Sequence, residues 1–317
     1  MRFAVRVLPA NEVGTANGLM FGSQFLGIGI GGSGALLVSG YAGFEWSLLF
    51  ILTLLALILV GVTIPLREPP DPAPPPELAH APGAGAIALA IGRRIALFFR
   101  EIRRGFFGGG VGPLMGALFS ILPPGATALG LALFTAIQVD LGLSEATIGG
   151  VALATNMAGA AGSVLGGWLA DRTGRPRACI AVFYALTALP TLYLAFALTG
   201  TKGLAGLTIA TFVGSVVVYN LFFGMQQGTV TALFMRITNP AVAATQFTWY
   251  MALHNLAMSY SSRWQGAYAD VHGYAPALRL DAAVAFVALL VLPWVVGTRR
   301  EDYAVIEAAG VNPARVG

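Results

Sequence analysis

GGWLADRTGRPR, residues 166–177, closes a run of small and apolar residues on an acid and then places three arginines within one short turn. The rest of the chain explains why that is unusual. Of its 317 residues 56% are hydrophobic and only 10% charged, with a mean hydropathy of +0.76. A soluble domain carries about 25% charged residues, because water must be met over its whole surface. This chain cannot meet water that way, so its surface faces lipid. The net charge of +4 does not point to nucleic acid, since the arginines are scattered between apolar runs with no basic stripe beside exposed aromatics. A single cysteine, Cys179, excludes an intramolecular disulfide and a multi-cysteine metal cluster. His80, His254 and His272 show no metal-ligand spacing, so neither metal nor cofactor is expected.

A membrane-spanning helix needs about 20 mostly apolar residues. Eight such runs are read, at 17–39, 46–65, 112–138, 145–170, 178–199, 204–234, 241–266 and 280–298. The third carries Pro123 and Pro124 and is expected to kink there. The expected fold class is an all-α membrane protein of about eight spans. Residues 1–66 hold the first two spans, 67–110 a linker, 111–300 a six-helix body, and 301–317 a tail. No cleaved leader is read, because residues 1–16 are mixed and polar.

The linker opens on REPPDPAPPPELAHAPGAGA, proline-rich and extended in character. In the stretch ending at Arg104, Ile87, Ile91, Ile95, Phe98 and Ile102 recur at helical spacing, with Arg93, Arg100 and Arg104 on the other face. That is an amphipathic helix lying on an anionic membrane surface, the alternative being a short buried helix with solvated arginines.

Charge gives the sidedness. If both termini are cytoplasmic, the segments on that side hold 15 of the 18 Lys and Arg. Lys202 and Arg279 lie opposite, and Arg263 lies inside a span. This satisfies the positive-inside rule. Arg172, Arg175 and Arg177 thus hold the opening loop on the cytoplasmic side.

Charge does not explain the loop's pattern. Gly162, Gly166 and Gly167 let another helix approach closely. Asp171 ends the helix, placed to pair with an arginine or with the positive N-terminus of a neighbour, and Gly174 permits the tight turn. Gly167, Asp171, Arg172, Gly174 and Arg175 resemble the signature loop G-x-L-A-D-R-x-G-R-R of the major facilitator superfamily, with Pro176 in the last place. The run LPANEVGTANGLMFGSQFLG from Leu8 resembles the entry to that superfamily's fifth helix. ILPPGATALGLAL from Ile121 resembles the seventh helix of the branch that contains muropeptide permeases and acetyl-coenzyme A transporters. ALFMRITNPAVAATQFTWYMALHNL from Ala232 resembles its tenth and eleventh helices. The resemblance implies a partial fold, with two helices of the N-terminal half and a complete C-terminal half. Helices one to four have no counterpart, so the chain reads as a fragment, as one with a misplaced start, or as a truncated relative.

Polar groups within lipid are costly and are therefore candidate sites. They include Gln24, Asn156, Tyr219, Asn220, Gln226, Gln227, Tyr250, His254, Asn255 and Arg263. Tyr219 and Gln226 share one helix face, as do Asn220 and Gln227; Tyr250, His254 and Asn255 fall within about one turn. The resemblance implies that such residues line a central cavity; interhelical packing is the competing reading. His254 is the one group deep in a span that changes charge near neutral pH. No Asp or Glu is read deep in any span. Arg263, near its span's outer end, either snorkels or meets an anionic solute. Gly27-Ile-Gly29-Ile-Gly-Gly32 fits a dinucleotide fingerprint, but no strand precedes it. Gly18, Gly22, Gly27 and Gly31 instead read as a packing face. No Ser, His and Asp are arranged for catalysis, so no enzyme is expected.

The resemblance implies a secondary active transporter of the inner membrane, or a fragment of one. It would carry a small polar or amphiphilic solute, with proton coupling open. The alternative is a non-transporting membrane protein whose incomplete half is covered by a partner or by a second copy.

Overall fold

The computed structural model describes residues 12–65, 111–198, 203–238 and 243–296, together with 92, 93, 95–97, 99, 100, 103 and 106. These residues are helical or lie in turns. The proline-rich stretch, most of the amphipathic stretch and the tail lie outside the described residues. Of that amphipathic stretch, Arg93, Ile95 and Arg100 are all exposed.

Helix α1 is a continuous rod, Val13–Ala42, with a π-helical stretch at Ile28–Ser33. Helix α2 is Phe44–Ile58, extended to Thr63. Then come α3 (Val111–Ile121), α4 (Phe134–Asp140), α5 (Glu145–Thr173), α6 (Pro176–Ala197), α7 (Ile209–Ile237), α8 (Ala243–His272) and α9 (Tyr274–Val284). Short 3₁₀ turns carry α9 on to Trp294. Among the described residues, six helical rods are long and apolar enough to cross a bilayer: α1, α2, α5, α6, α7 and the rod Tyr274–Trp294. The two other expected spans differ. Helix α8 has the length but is more polar, and the run at 112–138 is two helices rather than one kinked helix.

The termini follow local chemistry. Ser144 and Thr208 cap α5 and α7, their hydroxyls accepting from Thr147 N at 3.3 Å and Thr211 N at 3.1 Å. Gly174 ends α5 in the left-handed region at φ +63°, and Pro176 then opens α6, where the absence of an N–H costs nothing.

Helix α5 is central, packed between α1 and α7, and α6 lies along α7. Helix α9 packs on α6 and α8, and α3 on α8. The α1–α5 and α5–α7 contacts are backbone-close. A methyl on Gly167 would strike the Gly14 carbonyl; on Gly162 or Gly166 it would strike the carbonyls of Leu221 or Met225. Side-chain hydroxyls bridge the same seam. Ser163 Oγ donates to Gly224 O at 3.2 Å, and Thr229 Oγ1 to Gly166 O at 3.0 Å.

The glycine face of α1 departs from expectation. Gly18 and Gly22 do lie against α5, but Gly27 and Gly31 have nothing within 4 Å. The face runs Gly14, Gly18, Gly22, Phe25 and Gly29. Gly27 stands five positions after Gly22, which turns it well off the stripe at about 100° per residue.

Among the described residues, two large apolar clusters and a small one of Ala126, Ala188, Ala282 and Ala285 fill the body. One, at the end near Asp171, centres on Phe119, Tyr184, Phe234 and Tyr250. The other, toward the Tyr274 end, centres on Leu129, Leu133, Leu194, Phe212 and Leu278.

Candidate functional site

At the end of α5 the Asp171 side chain is 5% exposed. Its Oδ1 accepts from Gly14 N at 2.8 Å and from Arg236 Nη2 at 2.8 Å. Its Oδ2 accepts from Thr15 N at 2.6 Å and Thr15 Oγ1 at 2.9 Å. One carboxylate therefore meets both kinds of partner expected of it. It caps the positive end of α1, whose first N–H groups have no partner within their own helix, and it pairs with an arginine from the end of α7. The sequence did not single out Arg236, which stands 65 residues away and looks like any other terminal-side basic residue.

The remaining loop residues do different work. Arg172 lies over the Trp168 ring, 5.2 Å from its centroid. Arg175 is exposed, and Arg177 donates from Nη1 to Pro293 O at 3.0 Å, fastening the loop to the end of the last rod. Gly167 supplies the close approach to α1 and Gly174 the turn.

The second cluster is built on the break between α3 and α4. After Pro123 and Pro124, Gly125 takes φ +88°, and residues 122–133 leave regular helix while remaining largely buried. Non-helical backbone at membrane depth survives only where protein satisfies its polar groups. Here side chains from three helices do so. Tyr219 Oη donates to Ala126 O at 2.8 Å, and Gln226 Nε2 to Pro124 O at 2.6 Å, both from one face of α7. Asp281 on α9 accepts at Oδ2 from Ala128 N at 2.8 Å and at Oδ1 from Gln265 Nε2 at 2.6 Å. Gln265, on α8, also donates to Thr127 Oγ1 at 2.9 Å.

Asp281 overturns the reading that no acid lies deep in a span. A span beginning at 280 puts it at the rim, but the rod begins at Tyr274, so Asp281 lies two turns in and is 1% exposed. The lone acid after Arg279 in an otherwise apolar run was the available signal. Gln265 was missed because a span ending at 266 leaves it at the rim, whereas α8 continues to His272.

The other candidates separate cleanly. Gln227 Oε1 lies 3.1 Å from His254 Nε2, with both residues buried, so Asn220 and Gln227 do not act as a pair. Tyr250 Oη donates to Pro113 O at 3.0 Å and accepts from Gln246 Nε2 at 2.9 Å. Phe234 stacks on Tyr250 and meets His254 edge-on, while Asn255 turns outward and is exposed. Asn156 and Asn220 are half-buried and donate back to their own helices, to Ala152 O and Val216 O, each at 2.8 Å. Gln24 and Arg263 are exposed. Arg263 is also deeper than expected, nine residues or roughly 14 Å of helix short of the end of α8. Tyr219, Gln226, Gln227, Tyr250 and His254 therefore hold the body together. Gln24, Asn255 and Arg263 are the candidates that face outward.

The family model described as Major Facilitator Superfamily matches residues 1–262 and, in a second overlapping match, residues 125–312. No curated protein matches the chain.

Proposed function

The chain belongs to the Major Facilitator Superfamily, and on that basis we propose that it moves a small polar or amphiphilic solute across the inner membrane by alternating access. It is a multi-pass membrane protein of transporter type. Eight crossings account for its helices: the six apolar rods, α8 with its 30 residues, and α3 with α4 taken together through the break. An even number returns the chain to its starting side, and the distribution of arginine makes that side cytoplasmic. The stretches beginning at Leu8, Ile121 and Ala232 favour the muropeptide permease and acetyl-coenzyme A transporter branch, and hence a solute such as a sugar–peptide fragment.

The observation that carries this reading is Asp171. Its carboxylate ties α1, which belongs to the N-terminal half, to α5 and α7 of the C-terminal half. In a transporter whose halves rock about a central solute, a charge-assisted tie on the cytoplasmic face holds that face shut and favours the outward-open state. Gly167 allows the approach on which the tie depends, while Arg172, Gly174 and Arg175 shape and orient the loop. Gln24, Asn255 and Arg263 are the side chains left to meet solute.

The test uses Asp171→Asn in proteoliposomes, with a cysteine at position 175 in a Cys179→Ser background. Uptake of a labelled sugar–peptide should fall, and labelling from the cytoplasmic face should rise. Unchanged uptake together with unchanged labelling would remove the latch role. Absence of flux from intact purified protein, with co-purification of a second protein at constant stoichiometry, would favour the partner-bound alternative.

A further inference from the structure

We propose that Asp281 is a proton-binding site, and that the proton it takes up is read by Gln265. The inference stands whether or not the chain transports a solute.

Asp281 is 1% exposed and lies seven residues, or roughly 10 Å of helix, in from Tyr274. Its hydrogen-bond partners are the backbone N–H groups of Ala128 and Thr127 and the side-chain amide of Gln265, none of them a cation. An ionised carboxylate removed from water is costly unless a countercharge accompanies it, and a proton removes the charge outright. The contrast with Asp171, which has Arg236 at 2.8 Å, is direct.

Among the described residues, no basic group is seen to pair with Asp281. On α7 the nearest titratable group is Tyr219, buried and donating to Ala126 O. On α8, Arg263, Asp270 and His272 are exposed. On α6, Tyr184 is buried beside Phe119, Tyr193 is exposed, and Arg177 is bound to Pro293 O at the far end. On α9 itself, Arg279 lies over the Phe196 ring, 5.2 Å from its centroid.

The surrounding groups suit a proton better than a metal ion. Both carboxylate oxygens face N–H donors, whereas a metal ion asks for several converging oxygens. Gln265 can serve both states. With Asp281 ionised, Nε2 donates to Asp281 Oδ1 and to Thr127 Oγ1. Its Oε1 is then buried without a partner, as is Ser261 Oγ one turn earlier. When a proton binds Oδ1, the amide can turn over, and its oxygen accepts the new O–H of Asp281 and the hydroxyl of Thr127. One O–H bond forms and no other covalent bond changes.

Infrared spectroscopy on the full chain in lipid vesicles tests this directly. The spectrum should show a protonated-carboxyl C=O band that rises and falls with bulk pH and is lost in Asp281→Asn. In Gln265→Leu the carboxyl remains but its hydrogen bond is gone, so the band should shift in frequency; this variant serves even if Asp281→Asn does not fold. Identical spectra from wild type and Asp281→Asn, or a band unmoved in Gln265→Leu, would overturn the proposal. So would a carboxylate band that ignores pH and responds only when sodium replaces choline, since the occupant would then be a metal ion.

Discussion

Asp171 and Asp281 are both nearly buried acids that accept backbone N–H bonds, yet they differ in their countercharge. Asp171 shares its site with Arg236, so removing either partner strands the other. In a cycle of Asp171→Asn and Arg236→Gln, thermal unfolding in detergent should reveal a coupling of about 1–3 kcal/mol. Additive single effects would mean that Asp171 holds α1 through Gly14 N, Thr15 N and Thr15 Oγ1 alone. The acid was legible in the sequence because it sits in a dense local pattern, followed by a turn glycine and a helix-starting proline. Its arginine was not, because nothing local distinguishes Arg236 from other basic residues near helix ends. Likewise Gln227 and His254 stood out as polar groups in apolar runs, but only the packing of α7 on α8 shows that they bond to each other.

At the scale of elements, the contact between α1 and α5 is made of backbone rather than side chains. Gly167→Val would drive a side chain into the Gly14 carbonyl and force the helices apart, at a cost of about 1–3 kcal/mol. Gly27→Ala, with nothing within 4 Å, should leave the unfolding temperature nearly unchanged. Equal losses in both variants would show that the glycines act through helix flexibility rather than close approach. The small-residue pattern made such a seam foreseeable on α5. On α1 the register went astray, since a face drawn through Gly18, Gly22, Gly27 and Gly31 ignores the angular drift of a five-residue step. The Pro123-Pro124 pair similarly marked a disturbance without revealing its extent. A kink becomes a break because Tyr219, Gln226, Asp281 and Gln265 arrive from other helices to satisfy the freed backbone and its flanking groups.

For the whole molecule, the prediction concerns sidedness. Single cysteines at Arg175 and Arg299, in a Cys179→Ser background, should react with an impermeant reagent only from the cytoplasmic face. One at Lys202 should react only from the opposite face. Labelling of Arg175 and Lys202 from the same side would break the eight-crossing arrangement. The arrangement rests on the excess of arginine in alternate loops, which is a property of composition and order rather than of packing.

By itself, then, the sequence determined what depends on the chain's local character: lipid as the solvent and helices as the way to satisfy backbone within it; from the same local patterns came the expected sidedness, read from arginine, and the resemblance carried by the loop at Asp171. These follow from composition, periodicity and short motifs, each read within a few residues. The tertiary structure alone decided which polar groups are spent holding helices together. It also showed how far the third span comes apart and where Asp281 sits. Each of those depends on groups far apart in the chain meeting within hydrogen-bond distance, and a one-dimensional pattern carries no record of that distance.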